Sequence, residues 1–179
     1  IFAALLPFAV YSGRSGAPEA LKPSLSANQR EQIHAYAAAT WRYYEEYCTA
    51  EEHYLPPDNL QESPVWRVAH RTSPTNIGLY LLCVAAAHDL GLIDEDEMLT
   101  RIENTFDTID RLEKWRGNLL NWYDTRTLRP LVPRYVSSVD SGNFACCLVA
   151  LRQALAEIRG VRAAELAARA KRLQDEVDL

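Results

Sequence analysis

Asn121, Trp122, Tyr123 and Asp124 stand in a row, and Arg126, Arg129, Arg134, Tyr135, Asp140 and Asn143 follow close behind. Flat aromatic rings beside hydrogen-bonding side chains suit a sugar. The rings cover its C–H faces, while Asn, Asp and Arg answer its hydroxyls. Asn121, Trp122, Tyr123, Asp124, Arg126, Asp140 and Asn143 are therefore candidate sugar-binding residues. The competing reading is a surface loop with a satisfied Asp and two buried aromatics. All of these residues lie in 116–143, which has no helical period of its own yet separates two strongly helical segments. A connection of that length inside a compact domain is usually functional, and binding residues concentrate on loops held by a rigid scaffold.

Sugar chemistry would need carboxylates, normally two of them at a spacing set by the stereochemical outcome. Asp124, flanked by Tyr123 and Arg126, reads as ionised and suited to a sugar hydroxyl, and it is the chain's candidate for a catalytic carboxylate. Asp140 comes just before a helical run, where an Asp caps the helix and complements its dipole. Capping and substrate contact are both open there. His34, His53, His70 and His88 are scattered and form no metal-ligand pattern, so neither metal nor cofactor is expected. Cys48, Cys83, Cys146 and Cys147 have no C-x-x-C spacing and read as reduced thiols, which points to a reducing compartment.

The net charge of −5 and pI near 5.4 argue against a nucleic-acid partner, which needs a basic face. With 48% apolar and 24% charged residues, 179 residues suffice for one domain with a core. Residues 1–11 are an apolar run too short to span a bilayer, for which about 20 residues are needed. They read as the tail of a transmembrane helix or as a segment packed on the domain, the first being preferred. Residues 12–25, with Gly13, Gly16, Pro18 and Pro23, have linker composition.

Helices must position the loop. Ser26 and Gln29 form a capping box for a first helix, with Ile33, Ala37, Trp41, Tyr44 and Cys48 on its apolar face. Two prolines make the following stretch, Tyr54 to Gln61, an extended loop that brings Asp58, Asn59 and Gln61 near Trp66 and His70. Ser73 and Pro74 open a second helix, apolar almost all round from Ile77 to Leu90 and ended by Gly91. A third opens at Asp94. Its core face is Met98, Ile102, Phe106, Ile109 and Leu112, and its charges, Glu95, Asp96, Arg101, Glu103, Asp107 and Arg111, read as a solvated face. Phe144 to Ile158 is again apolar, and 161–179 carries the stripe Leu166, Ala170, Leu173 and Val177. Asn76 and Asn143, 67 residues apart, each head a buried helix with an amphipathic partner, as cap-box residues or as donors to substrate. Stacked helical hairpins with their long loops on one face are expected.

Four segments, Leu55–Gln61, Ala69–Leu79, Asn121–Leu128 and Tyr135–Asn143, resemble in order and spacing a region of bacterial cyclic β-1,2-glucan synthases. The resemblance covers roughly residues 25–158. It implies a membrane-embedded glycosyltransferase that extends the glucan, a middle domain that cyclises it by transglycosylation, and a phosphorylase-like domain that controls chain length. The middle domain is an (α/α) toroid similar to endo-β-1,2-glucanases, and 26–179 resembles its N-terminal part. The fold class is thus expected to be all-α, a partial (α/α) toroid of helical hairpins with long irregular loops on one face. The parent would be a bacterial inner-membrane protein with this segment on the cytoplasmic side. Within the matching segments Arg71 joins the substrate-binding candidates, the alternative being a structural pair with Asp124 or Asp140. Two departures stand out: Gly117-Asn-Leu-Leu replaces a usual Gly-His-Phe-Tyr, and Phe144-Ala-Cys-Cys replaces a Leu-Ala-Gly type run. About half a toroid is present, so the catalytic pair is expected beyond Leu179. This chain would supply one wall of the glucan groove, or serve as a non-catalytic glucan-binding or scaffold module beside the glycosyltransferase. Its partners would be the glucan and the rest of the synthase. Helices at an open edge would favour self-association of the chain.

Overall fold

The computed structural model describes residues 25–177. The membrane-helix tail expected at 1–11 and the linker expected at 12–25, apart from Leu25, lie outside them. The chain divides at His34–Ala35 into two compact units. In the first, Ser26 and Gln29 form the expected reciprocal box. Ser26 N donates to Gln29 Oε1 at 2.9 Å, and Gln29 N donates to Ser26 Oγ at 3.2 Å. This box starts helix α1, Ala27–Tyr47. Ile33 is 49% exposed and does not belong to a buried face.

In the second unit, α1 buries Trp41 and half-buries Tyr44, and Cys48 just past its end is buried too. Helices α2 (Pro74–Asp89), α3 (Glu95–Arg111), α4 (Ser138–Glu157) and α5 (Val161–Glu176) follow. Helix α2 packs on α3 and α4, and α5 packs on α4 and α3. Ile77, Tyr80, Leu81 and Val84 of α2 join Phe144, Leu148 and Leu151 of α4 in the core, with Ile102, Phe106 and Ile109 of α3 and Leu166 and Ala170 of α5. The two apolar helices meet closely because Gly78 has no side chain. A Cβ there would fall 2.9 Å from Cys147 Cβ. The hairpin between α2 and α3 turns as the sequence predicts. Gly91, at φ +69°, donates to His88 O at 2.9 Å and Leu92 donates to Ala87 O at 2.8 Å, a Schellman closure.

The charges of α3 depart from the expected solvated face. Arg162 of α5 reaches Asp96 and Glu103, both at 2.8 Å, and Arg169 reaches Asp107 at 2.8 Å and Asp110 at 2.9 Å. Arg101 turns inward over the Trp41 ring, 5.0 Å from its centroid. The face is a border between packed helices, so its acids meet arginines as well as water.

The connections expected to lack regular structure carry short antiparallel strands. Strands β1 (Leu60–Gln61) and β2 (Arg67–Val68) pair, as do β4 (Lys114–Trp115) and β5 (Asn118–Leu119). Strands β3 (Arg71–Thr72), β6 (Asn121–Asp124) and β7 (Pro130–Tyr135) form one sheet with β6 in the middle. Arg116 and Gly117 join β4 to β5 with φ of 50° and 79°, which is the backbone of a tight hairpin turn. These strands escape a periodicity reading because they are two to six residues long. Among the described residues no helix is long and apolar enough to cross a membrane.

Candidate functional site

The first turns of α2 and α4 lie side by side. Ser73 caps α2, accepting from Asn76 N, and Ser137 caps α4, accepting from Asp140 N. The sequence pattern predicts a start for α4 after Asp140. Ser137 instead starts it earlier, so Asp140 is not the cap and takes the place in α4 that Asn76 takes in α2. Asn143 lies about one turn further along and is not the counterpart of Asn76.

Moved into the first turn, Asp140 becomes a junction. Its Oδ1 accepts from Thr75 Oγ1 at 2.7 Å and its Oδ2 accepts from Asn121 Nδ2 at 3.3 Å. Asn143 Nδ2 donates to Thr75 Oγ1 at 3.2 Å. Asp58 plays the same part at the head of α2. Its Oδ1 accepts from Asn76 at 3.1 Å, and its Oδ2 accepts from Arg71 Nη2 at 3.0 Å and from Asn59 at 2.9 Å. Arg71 therefore pairs with Asp58 and not with Asp124 or Asp140. Its guanidinium also lies over the Trp122 ring, 5.2 Å from the centroid, so one face of the expected sugar platform is already covered.

Asp124 shapes its own loop. Oδ1 accepts from Thr127 N at 2.7 Å, Thr127 Oγ1 at 2.9 Å and Arg126 N at 3.0 Å. Desolvation pushes its pKa up, but these hydrogen bonds outweigh it and hold the carboxyl below the ordinary aspartate value. A general acid needs the opposite shift, so this geometry suits an anchor rather than a proton donor. Arg126 reaches Glu52 Oε1 at 3.0 Å. Tyr123 is fully buried: its hydroxyl donates to Glu113 O and accepts from Leu120 N, both at 2.6 Å. Burial raises its pKa to about 12. Tyr123 is thus a pillar of the sheet, not a ring offered to a ligand, because β6 alternates and its first and third residues point inward. Asn121, 3% exposed, faces inward with it and meets the site only through Asp140.

The structure adds Glu52, Asp58, Thr75 and His70 to the cluster. Asp58 and His70 stood near each other in the sequence reading, but Glu52 carried no signal. Its partners His70, Thr125 and Arg126 are 18, 73 and 74 positions away. Members of this network line a cavity of about 490 Å³, with Asn59, Gln61, His70, Arg71, Asp124 and Leu131 among its walls. Hydrogen-bonding groups dominate it, which suits a polyhydroxylated ligand. Among the described residues no His, Cys, Asp and Glu cluster has the geometry to hold a metal.

Over 121 residues, 68% of its length, the chain is 56% identical to the cyclic β-(1,2)-glucan synthase NdvB of Rhizobium meliloti (strain 1021). It spans only 4% of that relative's length. Its fold matches a putative glucoamylase from Bacteroides fragilis NCTC 9343 at TM-score 0.70 and 19% identity, covering 88% of this chain and 38% of that one. It also matches an endo-β-1,2-glucanase from Chitinophaga pinensis, in complex with sophorotriose and glucose, at TM-score 0.68 and 17% identity, covering 86% and 37%. The fold is therefore the expected partial (α/α) toroid, with short sheets added in the connections between its helices. A family model described as a protein of unknown function, DUF3131, matches residues 35–160, the stretch that carries every hydrogen bond of this site, and the chain belongs to that family.

Proposed function

We propose that this chain forms one wall of the glucan groove in the transglycosylating, cyclising domain of a cyclic β-1,2-glucan synthase. The observation that carries this reading is the 56% identity to the Rhizobium meliloti synthase. The polar cavity beside Arg71 and Asp124 supports it. The ligand is the β-1,2-glucan chain, held by Arg71, Asp124 and the free parts of Trp122, with Arg126, Asp140 and Asn143 keeping the wall in shape. The parent is a glycosyltransferase and transglycosylase of the bacterial inner membrane, and this segment lies on its cytoplasmic side. The remainder of the synthase completes the toroid. Without it, the helix faces at the open edge drive self-association, which light scattering would report.

A second reading, a non-catalytic glucan-binding or scaffold module, draws on the carboxylates. Glu52, Asp58, Asp124 and Asp140 each accept two or more hydrogen bonds from the protein. Their engagement by the protein's own donors is in keeping with a catalytic pair elsewhere in the parent. The purified chain is expected to release no cyclic glucan.

Calorimetry with linear β-1,2-glucan tests the wall. Binding that is lost in Trp122→Ala supports it. A folded chain that takes up no glucan, or a Trp122→Ala variant that binds unchanged, would falsify it.

A further inference from the structure

Glu52 is 5% exposed, an unusual place for an acid. Its Oε2 accepts from the Thr125 hydroxyl, and its Oε1 accepts from Arg126 Nε at 3.0 Å. Both oxygens act as acceptors there, so His70 Nδ1, 2.8 Å from Oε1, is the donor. In the neutral ring that bond selects the Nδ1–H tautomer and leaves a lone pair on Nε2. Nε2 has no hydrogen-bond partner among the described residues and is not enclosed. The His70 side chain is 31% exposed and lines the cavity next to Arg71 and Asp124. Of these neighbours Arg71 only donates, and the Oδ1 of Asp124 is taken up by its own loop. A buried acid is thus spent on orienting one ring whose other nitrogen opens onto the groove.

We propose that Glu52 is a positioning residue that orients His70 so that Nε2 is presented as a hydrogen-bond acceptor to a ligand hydroxyl in the cavity lined by Asn59, Arg71 and Asp124. This rests on the glucan reading, by which the hydroxyl belongs to a glucose unit of a β-1,2-glucan. A sugar hydroxyl donates to Nε2 and accepts from Arg71 beside it, so this wall would tell a free hydroxyl from a substituted one. Nothing is transferred, and the pair works by geometry alone.

The experiment is calorimetry of linear β-1,2-glucan on the whole chain, with nitrogen-15 NMR of its imidazoles. His70→Asn places an amide donor near the Nδ1 position, keeping Glu52 satisfied while removing the outer acceptor. His70→Gln places an amide oxygen near the Nε2 position. His70→Asn is expected to weaken binding several-fold, up to about tenfold, the scale of one net hydrogen bond. His70→Gln should stay within about threefold of the parent chain. At alkaline pH the free chain should show His70 as the Nδ1–H tautomer, and glucan should shift the Nε2 resonance. If Trp122→Ala abolishes binding while His70→Asn binds like the parent, the glucan wall survives and the His70 contact is overturned. An Nε2–H tautomer overturns the contact as well, whatever binds. If a folded parent chain takes up no glucan, the glucan reading fails and the contact falls with it.

Discussion

Thr75 and Asp140 tie two inner helices together at their heads: the Thr75 hydroxyl on α2 donates to Asp140 Oδ1 on α4 at 2.7 Å. The same hydroxyl accepts from Asn143 at 3.2 Å. Thr75→Val keeps the shape and removes both bonds. It leaves the carboxylate of Asp140 with one side-chain donor in a half-buried place. A loss of about 1–2 kcal/mol is expected, since hydrogen bonds to charged groups are the stronger ones. Urea unfolding measures it, and Thr75→Ser, which retains the hydroxyl, should recover most of it.

Tyr123→Phe separates framework from binding. The change strips the hydroxyl that Leu120 N–H donates to and leaves Glu113 O without its donor. With the Leu120 amide stranded in a buried setting, about 1–3 kcal/mol of stability should disappear. Glucan affinity of the folded fraction should not move. A stable variant with lost binding would show that the hydroxyl meets ligand after all.

The loop held by Asp124 sets an acid dependence. Its carboxyl titrates below the ordinary aspartate value in the folded chain. Such a group contributes stability above its unfolded pKa, about 3.9, and loses it as pH falls through the folded value. Asp124→Asn should therefore unfold at lower urea than the parent at pH 7, and the gap should close below about pH 4. An equal gap at both pH values would mean that the charge is not what the loop amides recognise.

Thiol labelling checks the packing of α4. Cys146 is exposed and its neighbour Cys147 is buried, with burial pushing the Cys147 thiol up to about 11. Burial also raises Cys48 and Cys83. All four are free. A chromogenic disulfide should titrate one thiol quickly at about pH 8 and the others only after unfolding, because the thiolate is the reactive form. A second fast thiol that Cys147→Ser removes would place Cys147 outside the contact with Gly78.

Much of the frame is legible in the chain. The buried stripe of α3, Met98, Ile102, Phe106, Ile109 and Leu112, is found as its spacing predicts, and so are the Ser73 cap, the Asp94 cap and the Gly91 stop. These features are local: a cap or a stripe is written within a few residues. The start of α4 was misplaced for a local reason too. Asp140 and Ser137 are both good caps, and sequence alone does not choose between them. The orientation of β6 was hidden because a four-residue strand offers too few alternations to say which side is inward.

By itself the sequence determined a helical-hairpin scaffold, because helix periods and caps are encoded over single turns, and it marked the aromatic and polar stretch at 121–143 as the place to look. Only the tertiary structure decided which of those residues face a groove. Tyr123 and Asn121 turned inward, Arg71 chose Asp58 over Asp124, and Glu52 came to rest beneath His70. Each of those choices depends on which distant backbone packs alongside. A carboxylate takes whichever donors the fold brings within about 3 Å, and no spacing along the chain records that meeting.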